Sequence, residues 1–496
     1  MNVVEYCLYI LTSAEFMEVC WFSDSVKRPC AYALNCIGAH RPYVQNQCAV
    51  VVLEQVIVGI GERSGLYNHW LSQGVLVMGN TSTVSIHAAG DLDTRFGENG
   101  TADLGQAAEN GKGARPAALA ALRDGSLIVV LDRYRDGFWI ARYTADGDPD
   151  ESFGTHGATR YRFDAQTSYG YDVGSLFCDE DAKVFYVLGA YTIASPLETK
   201  GFVVKLTAQG LPDPSFGDGG RLIFSLPAFR SGNQVATSRF VVRTAQRATG
   251  GRLLLGINSL HESYLDPAYV VAVRADGQLD SSFGNQGFRQ FVWGNQNRLI
   301  SAVHVQPSGH ILVAGHTATP PYIGLVARYT ANGTLDTAFG TDGFYSLDLS
   351  PKLKSRIHAM APAMGAGIVC VGELEHIDPE SSQLLRFKLT SDGQLDSTYG
   401  ESGVALTRGD FKGNDVSIAA AQDLSTVAGG LRGLGMLSRA TANGAKDDRF
   451  GREGIVEDPT AEPFDLVAES ASGAIFTLGR NKADQAPVIK RWYGQP

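Results

Sequence analysis

The stretch Gly90-Asp91-Leu92-Asp93-Thr94-Arg95-Phe96-Gly97-Glu98-Asn99-Gly100 decides how this chain folds, because its pattern occurs seven times. The pattern is G-x-x-D-x-x-[FY]-G-x-x-G, and all seven copies keep every internal spacing. The shortest step, from Asp396 to Asp447, is 51 residues, and the longest, from Asp213 to Asp280, is 67 residues. The aspartate and aromatic positions are Asp93/Phe96, Asp150/Phe153, Asp213/Phe216, Asp280/Phe283, Asp336/Phe339, Asp396/Tyr399 and Asp447/Phe450.

The residue types of this motif predict a tight turn held in place by one buried ring. The opening glycine can adopt a positive φ, which many turns require. The aspartate side chain can accept a hydrogen bond from a backbone N–H one or two residues further on, which closes an Asx turn. Burial of the aromatic ring should contribute roughly 1.5–3 kcal/mol to stability in each copy.

Calcium binding is the competing interpretation of the motif, because Asp91 with Asp93 and Asp148 with Asp150 read as D-x-D. The first acidic position is not kept in the other copies, where the residues are Leu211, Gln278, Thr334, Gln394 and Ala445. A calcium site needs six or more oxygen ligands. We therefore expect structural turns, with no metal ion and no cofactor.

Between the motifs the chain repeats a pattern of four short strands. In the clearest copy, the predicted strands are Phe288–Trp293, Leu299–Val305, Ile311–Ala314 and Ile323–Tyr329. Four antiparallel strands repeated at this period are typical of a β-propeller, whereas a linear solenoid would need unlike capping repeats. We predict an all-β fold, a β-propeller of seven blades with four strands each, in which every motif leads into the blade that follows.

Closure of the ring and the number of blades depend on the residues before the first motif. Gly74–Val77 followed by Thr83–His87 resembles one more strand pair, so eight blades is the alternative. In the seven-blade interpretation, Thr83–His87 instead pairs beside Val488–Trp492 and closes the ring.

The motif and strand pattern resemble the delta-60 repeat family, a bacterial propeller repeat class. The resemblance covers residues 90–454 through the motif and extends to residue 496 through the strand pattern, with Tyr399 as the one aromatic substitution. It implies a propeller of seven delta-60-like repeats. It implies no catalytic residues, because the family is largely of unassigned function, and its members occur in varied, often exported or surface proteins.

Composition limits the classes of partner. The net charge is −10, which argues against nucleic acid, whose binders cluster Lys and Arg. No apolar run reaches the eighteen or so residues of a membrane-spanning helix, and the N-terminus lacks the basic start of a secretory signal. The sequence therefore leaves the compartment and the oligomeric state open.

Variable loops on the face away from the motifs are where we expect a protein or glycan partner to bind. The richest polar stretch is the predicted loop Glu373-Leu374-Glu375-His376-Ile377-Asp378, where paired carboxylates could also serve as general acid and base. Arg133 and Arg135 could hold an anionic group. A solvated loop is the structural alternative for both stretches.

Other chemical signals are weaker. His310 and His316 bracket one predicted strand, which places them roughly 20 Å apart, so they cannot share a zinc ion. No nucleophile, nucleotide or metalloprotease motif stands in its required context. We therefore predict a non-enzymatic binding or scaffold propeller; the alternative is a carbohydrate-active hydrolase or lyase with carboxylates near the channel.

Residues 1–77 lack the motif, and we separate them from the repeat domain, residues 78–496. They hold five of the seven cysteines, with no C-x2-C pair that would indicate zinc. Either the segment is a small appendage, or the start has been placed too far upstream and Met78 is the natural first residue. Mass spectrometry of the native protein should decide: peptides between Leu8 and Trp70 would exclude the later start.

Overall fold

The computed structural model describes three strands near the N-terminus and most of the chain from residue 87 to residue 494. Within 87–494 the undescribed residues are 105–113, 134–136, 164–167, 195–196, 228, 232–233, 237–239, 260–266, 295, 321, 351, 364–366, 378–379, 408–416, 422–423, 432–433 and 463. The chain divides into two bodies, Met1–Ile86 and His87–Pro496. None of the described residues forms a helix with the length and hydropathy needed to cross a bilayer.

The described part of the first body is one small sheet. Its strands are β1 (Tyr6–Leu11), β2 (Phe16–Trp21) and β3 (Ile60–Glu62), in the order β2-β1-β3. Both pairings are antiparallel.

The second body, in its described residues, is built from seven four-strand units in which each strand pairs antiparallel with the next. The first strand of this body along the chain is β4 (Thr101–Asp103). It belongs to the seventh unit, where it pairs as the last of the four strands. Unit 1 is β5 (Arg115–Ala121), β6 (Leu127–Arg133), β7 (Gly137–Tyr143) and β8 (Ala158–Tyr161). Unit 2 is β9 (Ser168–Asp179), β10 (Val184–Ala194), β11 (Leu197–Thr207) and β12 (Arg221–Phe224), followed by a hairpin of β13 (Phe229–Ser231) and β14 (Gln234–Ala236).

The remaining units follow the same order along the chain. Unit 3 is β15 (Phe240–Arg247), β16 (Leu253–Ser259), β17 (Ala268–Val273) and β18 (Phe288–Trp293), with a 3₁₀ turn at Thr249–Gly251. Unit 4 is β19 (Gln296–Val305), β20 (Ile311–Thr317), β21 (Gly324–Tyr329) and β22 (Phe344–Leu347). Unit 5 is β23 (Leu353–Pro362), β24 (Ile368–Ile377), β25 (Glu380–Leu389) and β26 (Val404–Thr407). Unit 6 is β27 (Ser417–Ala421), β28 (Leu424–Leu431), β29 (Leu434–Ala440) and β30 (Ile455–Asp458), and unit 7 is β31 (Leu466–Glu469), β32 (Ile475–Arg480), β33 (Pro487–Trp492) and β4.

These units form a β-propeller with four antiparallel strands per unit, as the sequence predicts. The first strands of the units contact one another in cyclic order, from β5 through β31 and back to β5, so they surround the axis. In the described residues the propeller units form six separate hydrogen-bonded sheets, whereas we predicted seven blades. The difference arises because units 3 and 4 share one eight-stranded sheet, in which β18 pairs with β19 at Val292↔Asn297 and Trp293↔Gln296.

The position of the motif within a unit corrects the predicted strand order. Phe288–Trp293 is not the first strand of a new unit but the last strand of unit 3, since it pairs with β17 at Val271↔Phe288. The motif is a turn that returns the chain beside the strand it has just left. The strands that we predicted as the third and fourth of each unit are therefore its second and third strands.

The same geometry corrects the predicted closure of the ring. The strand that pairs beside β33 is Thr101–Asp103, through Ile489↔Ala102, and not Thr83–His87. It comes directly after the first motif, so the first motif completes unit 7 as the others complete their own units. Residues 83–86 and the predicted strand Gly74–Val77 lie outside the described residues.

Backbone hydrogen bonds join each motif to the next. In the third motif, the Gly217 amide donates to the Asp276 carbonyl, just before the glycine that opens the fourth motif, at 2.9 Å. The Gly451 amide of the last motif donates to the Ala89 carbonyl, before the first motif, at 2.8 Å. In the described residues this bond occurs seven times and forms a closed ring; the other pairs are Gly97–Asp146, Gly154–Gln209, Gly284–Asn332, Gly340–Asp392 and Gly400–Asn443.

The aromatic rings of the motifs are buried, as expected from the sequence. None of the seven is more than 1% exposed; they are Phe96, Phe153, Phe216, Phe283, Phe339, Tyr399 and Phe450. In five of the seven copies, the opening glycine of the next motif lies against the ring. At Gly210, which has φ of 75°, a Cβ atom would come within 2.5 Å of the Phe153 ring. In these five copies the ring therefore fills the space beside the glycine that opens the following motif; the glycines are Gly147, Gly210, Gly333, Gly393 and Gly444.

Phe283 and Phe450 show how this burial joins neighbouring units. Phe283 is 1% exposed, and a Cβ atom on Gly333 of the next motif would come within 2.9 Å of its ring. Phe450 is fully buried, belongs to the same apolar cluster as Trp492 of unit 7, and lies 4.3 Å below the Arg439 guanidinium. Both rings are therefore part of the core and present no surface to a ligand.

Replacing Phe216 by Ala should lower the free energy of unfolding by about 3–5 kcal/mol, because the ring is fully buried between two units. Leu211→Ala in the same motif is the matched control, since Leu211 is 56% exposed, and it should change stability by about 0.5 kcal/mol or less. Denaturant unfolding measures both. Equal losses in the two variants would show that the buried ring does not hold the turn.

Candidate functional site

Each motif aspartate uses both carboxylate oxygens to hold the turn. In Asp213, Oδ1 accepts the Ser215 amide at 3.0 Å, which is the predicted Asx turn, and Oδ2 pairs with Lys205 at 2.8 Å. Lys205 lies eight residues earlier, on the third strand of the unit. The other pairs at the same spacing are Asp150–Arg142, Asp336–Arg328, Asp396–Lys388 and Asp447–Arg439. Asp93 pairs with Arg491, which is also on the third strand of its unit, and Asp280 pairs with Arg252, the residue just before β16.

The motif carboxylates are therefore occupied by protein groups. Within the described ranges, no three His, Cys, Asp or Glu side chains come together in a group that could hold a metal ion. The basic partner eight residues before the aspartate was visible in the sequence of five copies, but sequence analysis did not connect it to the motif.

A group of charged side chains lies at the other face, on the first two strands of unit 5. Strand β23 begins at that face and β24 ends there, because the motif follows β25 at the opposite end. The pairing places Lys354 opposite Glu375 and Arg356 opposite Glu373. We call this group, together with its neighbours from unit 4, the axial polar cluster; its members are Lys354, Arg356, His358, Glu373, Glu375, Ser382, His316 and Tyr322.

Ion pairs and hydrogen bonds connect the two glutamates of the axial polar cluster. Arg356 Nη1 is 3.1 Å from Glu375 Oε2 and 3.5 Å from Glu373 Oε2. Lys354 Nζ is 2.8 Å from Glu375 Oε1, and the Ser382 hydroxyl donates to Glu373 Oε1 at 2.6 Å. The Glu373 and Glu375 side chains are 13% and 17% exposed, and those of Arg356 and Lys354 are 23% and 25% exposed. The network is thus partly buried yet open to solvent.

These contacts keep both glutamates ionised. Burial opposes ionisation of Glu373, but His358, Ser382 and Arg356 together hold its pKa below the usual value. Lys354 is the main group that lowers the pKa of Glu375, with a further contribution from Arg356. Neither carboxyl is therefore a proton donor near neutral pH.

Two imidazoles from neighbouring units lie beside the glutamates. The rings of His316 on β20 and His358 on β23 are 6.4 Å apart between centroids. Burial, followed by the nearby His358 and Arg356, lowers the pKa of His316 to about 3, so this ring is neutral. Arg356 also lies over the Tyr322 ring, at 4.2 Å from its centroid. The axial polar cluster therefore spans the boundary between units 4 and 5.

The structure corrects where sequence analysis placed the predicted site residues. Glu373, Glu375 and His376 are not in a loop but on β24, where the chain continues as a strand to Ile377. Arg133 is the last residue of β6, and its guanidinium lies 5.9 Å from the Trp139 ring centroid. Arg135 and residue 378 of the predicted loop lie outside the described residues.

A second acidic position occurs at the boundary of units 1 and 2. Asp132 on β6 is 3% exposed and pairs with Arg115 of β5 at 2.5 Å. Burial raises the pKa of Asp132 to about 6; Arg115 opposes this shift, and Asp172 of the neighbouring unit adds to it. Asp132 Oδ1 has no hydrogen-bond partner among the described residues. Sequence analysis did not single out this residue, because the apolar run ends at Leu131 and the local residues do not show that the strand continues to Arg133.

A cavity of about 560 Å³ opens on the motif face, where sequence analysis expected only uniform turns. Its lining includes Arg123, Asp181 and Cys178, and the turns between the first and second strands of units 2 and 3 form part of its wall. Arg123 pairs with Asp181 at 2.7 Å. Burial raises the pKa of the Cys178 thiol to about 12. The cavity therefore offers paired charges and an unreactive thiol.

One sequence family matches part of the chain. Its description is "Domain of unknown function (DUF5122) beta-propeller", and the match covers residues 306–339. This segment runs from the turn before β20 to Phe339 of the fifth motif, so it contains one turn, two strands and most of one motif. The match supports a β-propeller family. No characterised protein matches the chain significantly in sequence.

Several solved structures are similar to this chain. A polysaccharide lyase, Uly1, is 10% identical, with a TM-score of 0.44 over 76% of this chain and 90% of that one. The propeller domain of the Trilobed protease from Pyrococcus furiosus is 10% identical, with a TM-score of 0.42 over 77% and 94%. The NanB sialidase from Streptococcus pneumoniae is 10% identical, with a TM-score of 0.36 over 76% and 68%. With identities and TM-scores this low, the similarity says nothing about the activity of this protein.

Replacing Asp132 by Asn should change how stability depends on pH. The raised pKa of Asp132, about 6 against 3.8, means that folding favours its protonated form. Its contribution is fully present below pH 3.8 and is lost as the pH rises through 6. The variant should therefore gain stability relative to the wild type between pH 4 and pH 8, by on the order of 2–3 kcal/mol.

Denaturant unfolding at several pH values measures this difference. Asp218→Asn is the control, because Asp218 is exposed, and its stability difference should stay constant over the same range. A constant difference for the Asp132 variant as well would contradict the prediction.

Proposed function

We propose that this protein is a binding propeller that engages a protein or glycan partner through the face away from the seven motifs. The observation that carries the proposal is the axial polar cluster, in which Arg356 of the first strand of unit 5 joins Glu373 and Glu375 of the second strand. Its charged side chains are between 13% and 25% exposed, so a partner can reach them. Half-buried charged groups of this kind give orientation and specificity to a ligand.

The contrast between the two faces supports this choice. On the motif face, the backbone amides and the aspartates are used within the ring of motifs. On the other face, the connections differ in length from unit to unit, with two residues between β24 and β25 and eight between β16 and β17. Variable connections on a rigid scaffold are a common location for binding residues.

Binding fits the axial polar cluster better than catalysis does. A pair of carboxylates that acts as general acid and base needs one member with a raised pKa. The pKa values of Glu373 and Glu375 are both lowered, and each carboxylate is held by an ion pair. This arrangement provides hydrogen-bond acceptors and no proton donor.

A carbohydrate-active hydrolase or lyase is the second candidate function, and one specific observation favours it. Asp132 has a raised pKa and interacts with Asp172 of the neighbouring unit, which is the combination that acid–base catalysis requires. Release of new reducing ends from a polysaccharide, abolished in Asp132→Asn, would favour this candidate over binding alone.

Membership of the delta-60 repeat family is part of the proposal. The seven copies of G-x-x-D-x-x-[FY]-G-x-x-G support it, and so does the propeller formed by the units that carry them. It would make the protein bacterial. A sequence profile of that family should match all seven copies, and failure to match the copies other than the fifth would count against membership.

The double variant Glu373→Gln/Glu375→Gln should weaken partner binding about 10- to 100-fold, because hydrogen bonds to charged groups contribute roughly 1.5–3 kcal/mol. A glycan array and affinity capture first identify a ligand for the wild type, and calorimetry then compares the variants. The matched control is Glu98→Gln/Glu401→Gln, two exposed glutamates of the motif face. Loss of binding in the control, with binding kept in the first variant, would place the partner on the motif face and contradict the proposal.

A further inference from the structure

Strand β15 of unit 3 carries an exposed arginine in the middle of an otherwise covered strand. Arg243 is the extra residue of a β-bulge, where the pairing of β15 with β16 shifts between Val242 and Thr244. The residue is exposed, although the three residues before it on the strand are buried. A bulge changes the direction in which a side chain points. Because β9 and β19 contact β15, and β16 pairs along its outer edge, the side open to solvent at Arg243 is the one toward the axis.

Arg115 of unit 1 is a second exposed arginine on a first strand. It is the first residue of β5, at the end of the strand away from the motifs. Its side chain is 49% exposed, whereas that of its partner Asp132 is 4% exposed. The carboxylate of Asp132 accepts from Nη2 of Arg115, so the other N–H groups of the guanidinium remain for a ligand. The exposed surface of this ion pair is therefore mainly positive.

The two arginines flank strand β9 of unit 2 at nearly the same level. On one side of β9, Asp132, which pairs with Arg115, interacts with Asp172. On the other side, a Cβ atom on Gly174 would come within 3.4 Å of the Arg243 nitrogen. Since Asp172 and Gly174 are two residues apart on one strand, the levels of the two arginines differ by roughly 7 Å.

The acidic groups beside the arginines are already engaged by the protein. Asp132 is buried against Arg115, and Asp172 has interactions of its own within the protein. Arg243, by contrast, forms no ion pair with any residue in the part of the chain that the structure describes.

This part of the channel wall therefore offers free donors to an anionic group. A guanidinium matches a carboxylate in planar geometry and can form two parallel hydrogen bonds with it. The chain as a whole has a net charge of −10. Salt screens charges beyond about 8 Å under physiological conditions, so the nearby arginines dominate at this position.

The depth of Arg243 limits the shape of the ligand. Strand β15 begins at Phe240 on the face away from the motifs, and Arg243 is its fourth residue. At about 3.3 Å per residue, Arg243 lies roughly 10 Å below the start of the strand. A flat protein surface cannot reach that depth, whereas an extended polymer chain can enter the channel.

We propose that the wall of the axial channel formed by units 1–3 binds an acidic polysaccharide, whose carboxylates pair with Arg115 and Arg243. The proposal rests on the proposed function, because it names the ligand class for the same face. A uronic acid unit carries a carboxylate and several hydroxyl groups on one ring. One such chain can supply carboxylates to the arginines and hydroxyls to Glu373 and Glu375. An extended acidic peptide brings mainly carboxylates, which the two glutamates repel, so it is the alternative outcome of the test.

The test is calorimetry of the full-length protein with oligogalacturonate and with its methyl ester, which keeps the sugar ring but removes the charge. The wild type should bind the charged oligomer more tightly than the ester. Arg243→Gln and Arg115→Gln should each weaken binding of the charged oligomer about tenfold, because each removes a charged hydrogen-bond donor. Arg452→Gln is the matched control, since Arg452 is an exposed arginine of the motif face, and it should bind like the wild type.

Asp132→Asn should change the affinity in the opposite direction. Binding of the charged oligomer should tighten about two- to fivefold, because the carboxylate that competes for Arg115 is removed. A misfolded variant can only bind more weakly, so a gain in affinity cannot come from loss of structure. Unchanged or weaker binding in this variant would exclude Arg115 from the site and overturn the proposal.

The remaining outcomes separate this proposal from the proposed function. Uronate binding that Glu373→Gln/Glu375→Gln weakens, but that both arginine variants leave unchanged, overturns the channel site and keeps the binding face. Equal affinity for the oligomer and its ester, or absence of uronate binding, overturns the acidic polysaccharide; polyglutamate binding that the arginine variants lose would then identify an acidic peptide. Binding that responds only to Arg452→Gln overturns both proposals. A preference for the charged oligomer that either arginine variant reduces and Asp132→Asn increases supports the channel site.

Discussion

The hydrogen bond from one motif to the next is the interaction on which the rest of this structure depends. At each boundary, a glycine amide that follows the buried ring donates to the carbonyl just before the next opening glycine, as from Gly217 to Asp276. The glycine is required at such a boundary because a side chain on Gly277 would come within 2.4 Å of the Gly217 nitrogen. Since the last bond, from Gly451 to Ala89, returns to the first motif, the ring has no free end.

This ring explains why the two faces of the propeller differ. On the motif face, neighbouring units meet only if the turn conformation, the buried aromatic ring and the Asp–Lys or Asp–Arg pair are all kept. Few side chains on that face can therefore change. On the other face, no such repeated contact links the described connections, and their lengths differ between units. The axial polar cluster lies at that second face, where polar groups are not needed for closure.

The axial polar cluster also shows how one strand position can serve different chemistry in different units. Asp132 of unit 1 and Glu373 of unit 5 both lie on the second strand, each opposite an arginine of the first strand. Burial dominates at Asp132 and raises its pKa to about 6, whereas three polar neighbours lower the pKa of Glu373. The repeated backbone fixes where such carboxyls stand, and the local neighbours decide whether they carry a proton.

The sequence by itself determined the repeat, the turn and the ring that is buried in each copy, because these features depend on residues within eleven positions of one another. It also contained the signs of the axial polar cluster, since Lys354, Arg356 and His358 alternate along one strand and Glu373 and Glu375 alternate along the next. What it could not show was the pairing that sets Arg356 opposite Glu373, or the approach of His316 from another unit. The tertiary structure decided those contacts, as well as the return of each motif to its own unit and the closure through Thr101–Asp103, because they depend on pairing between strands that local residue patterns do not encode.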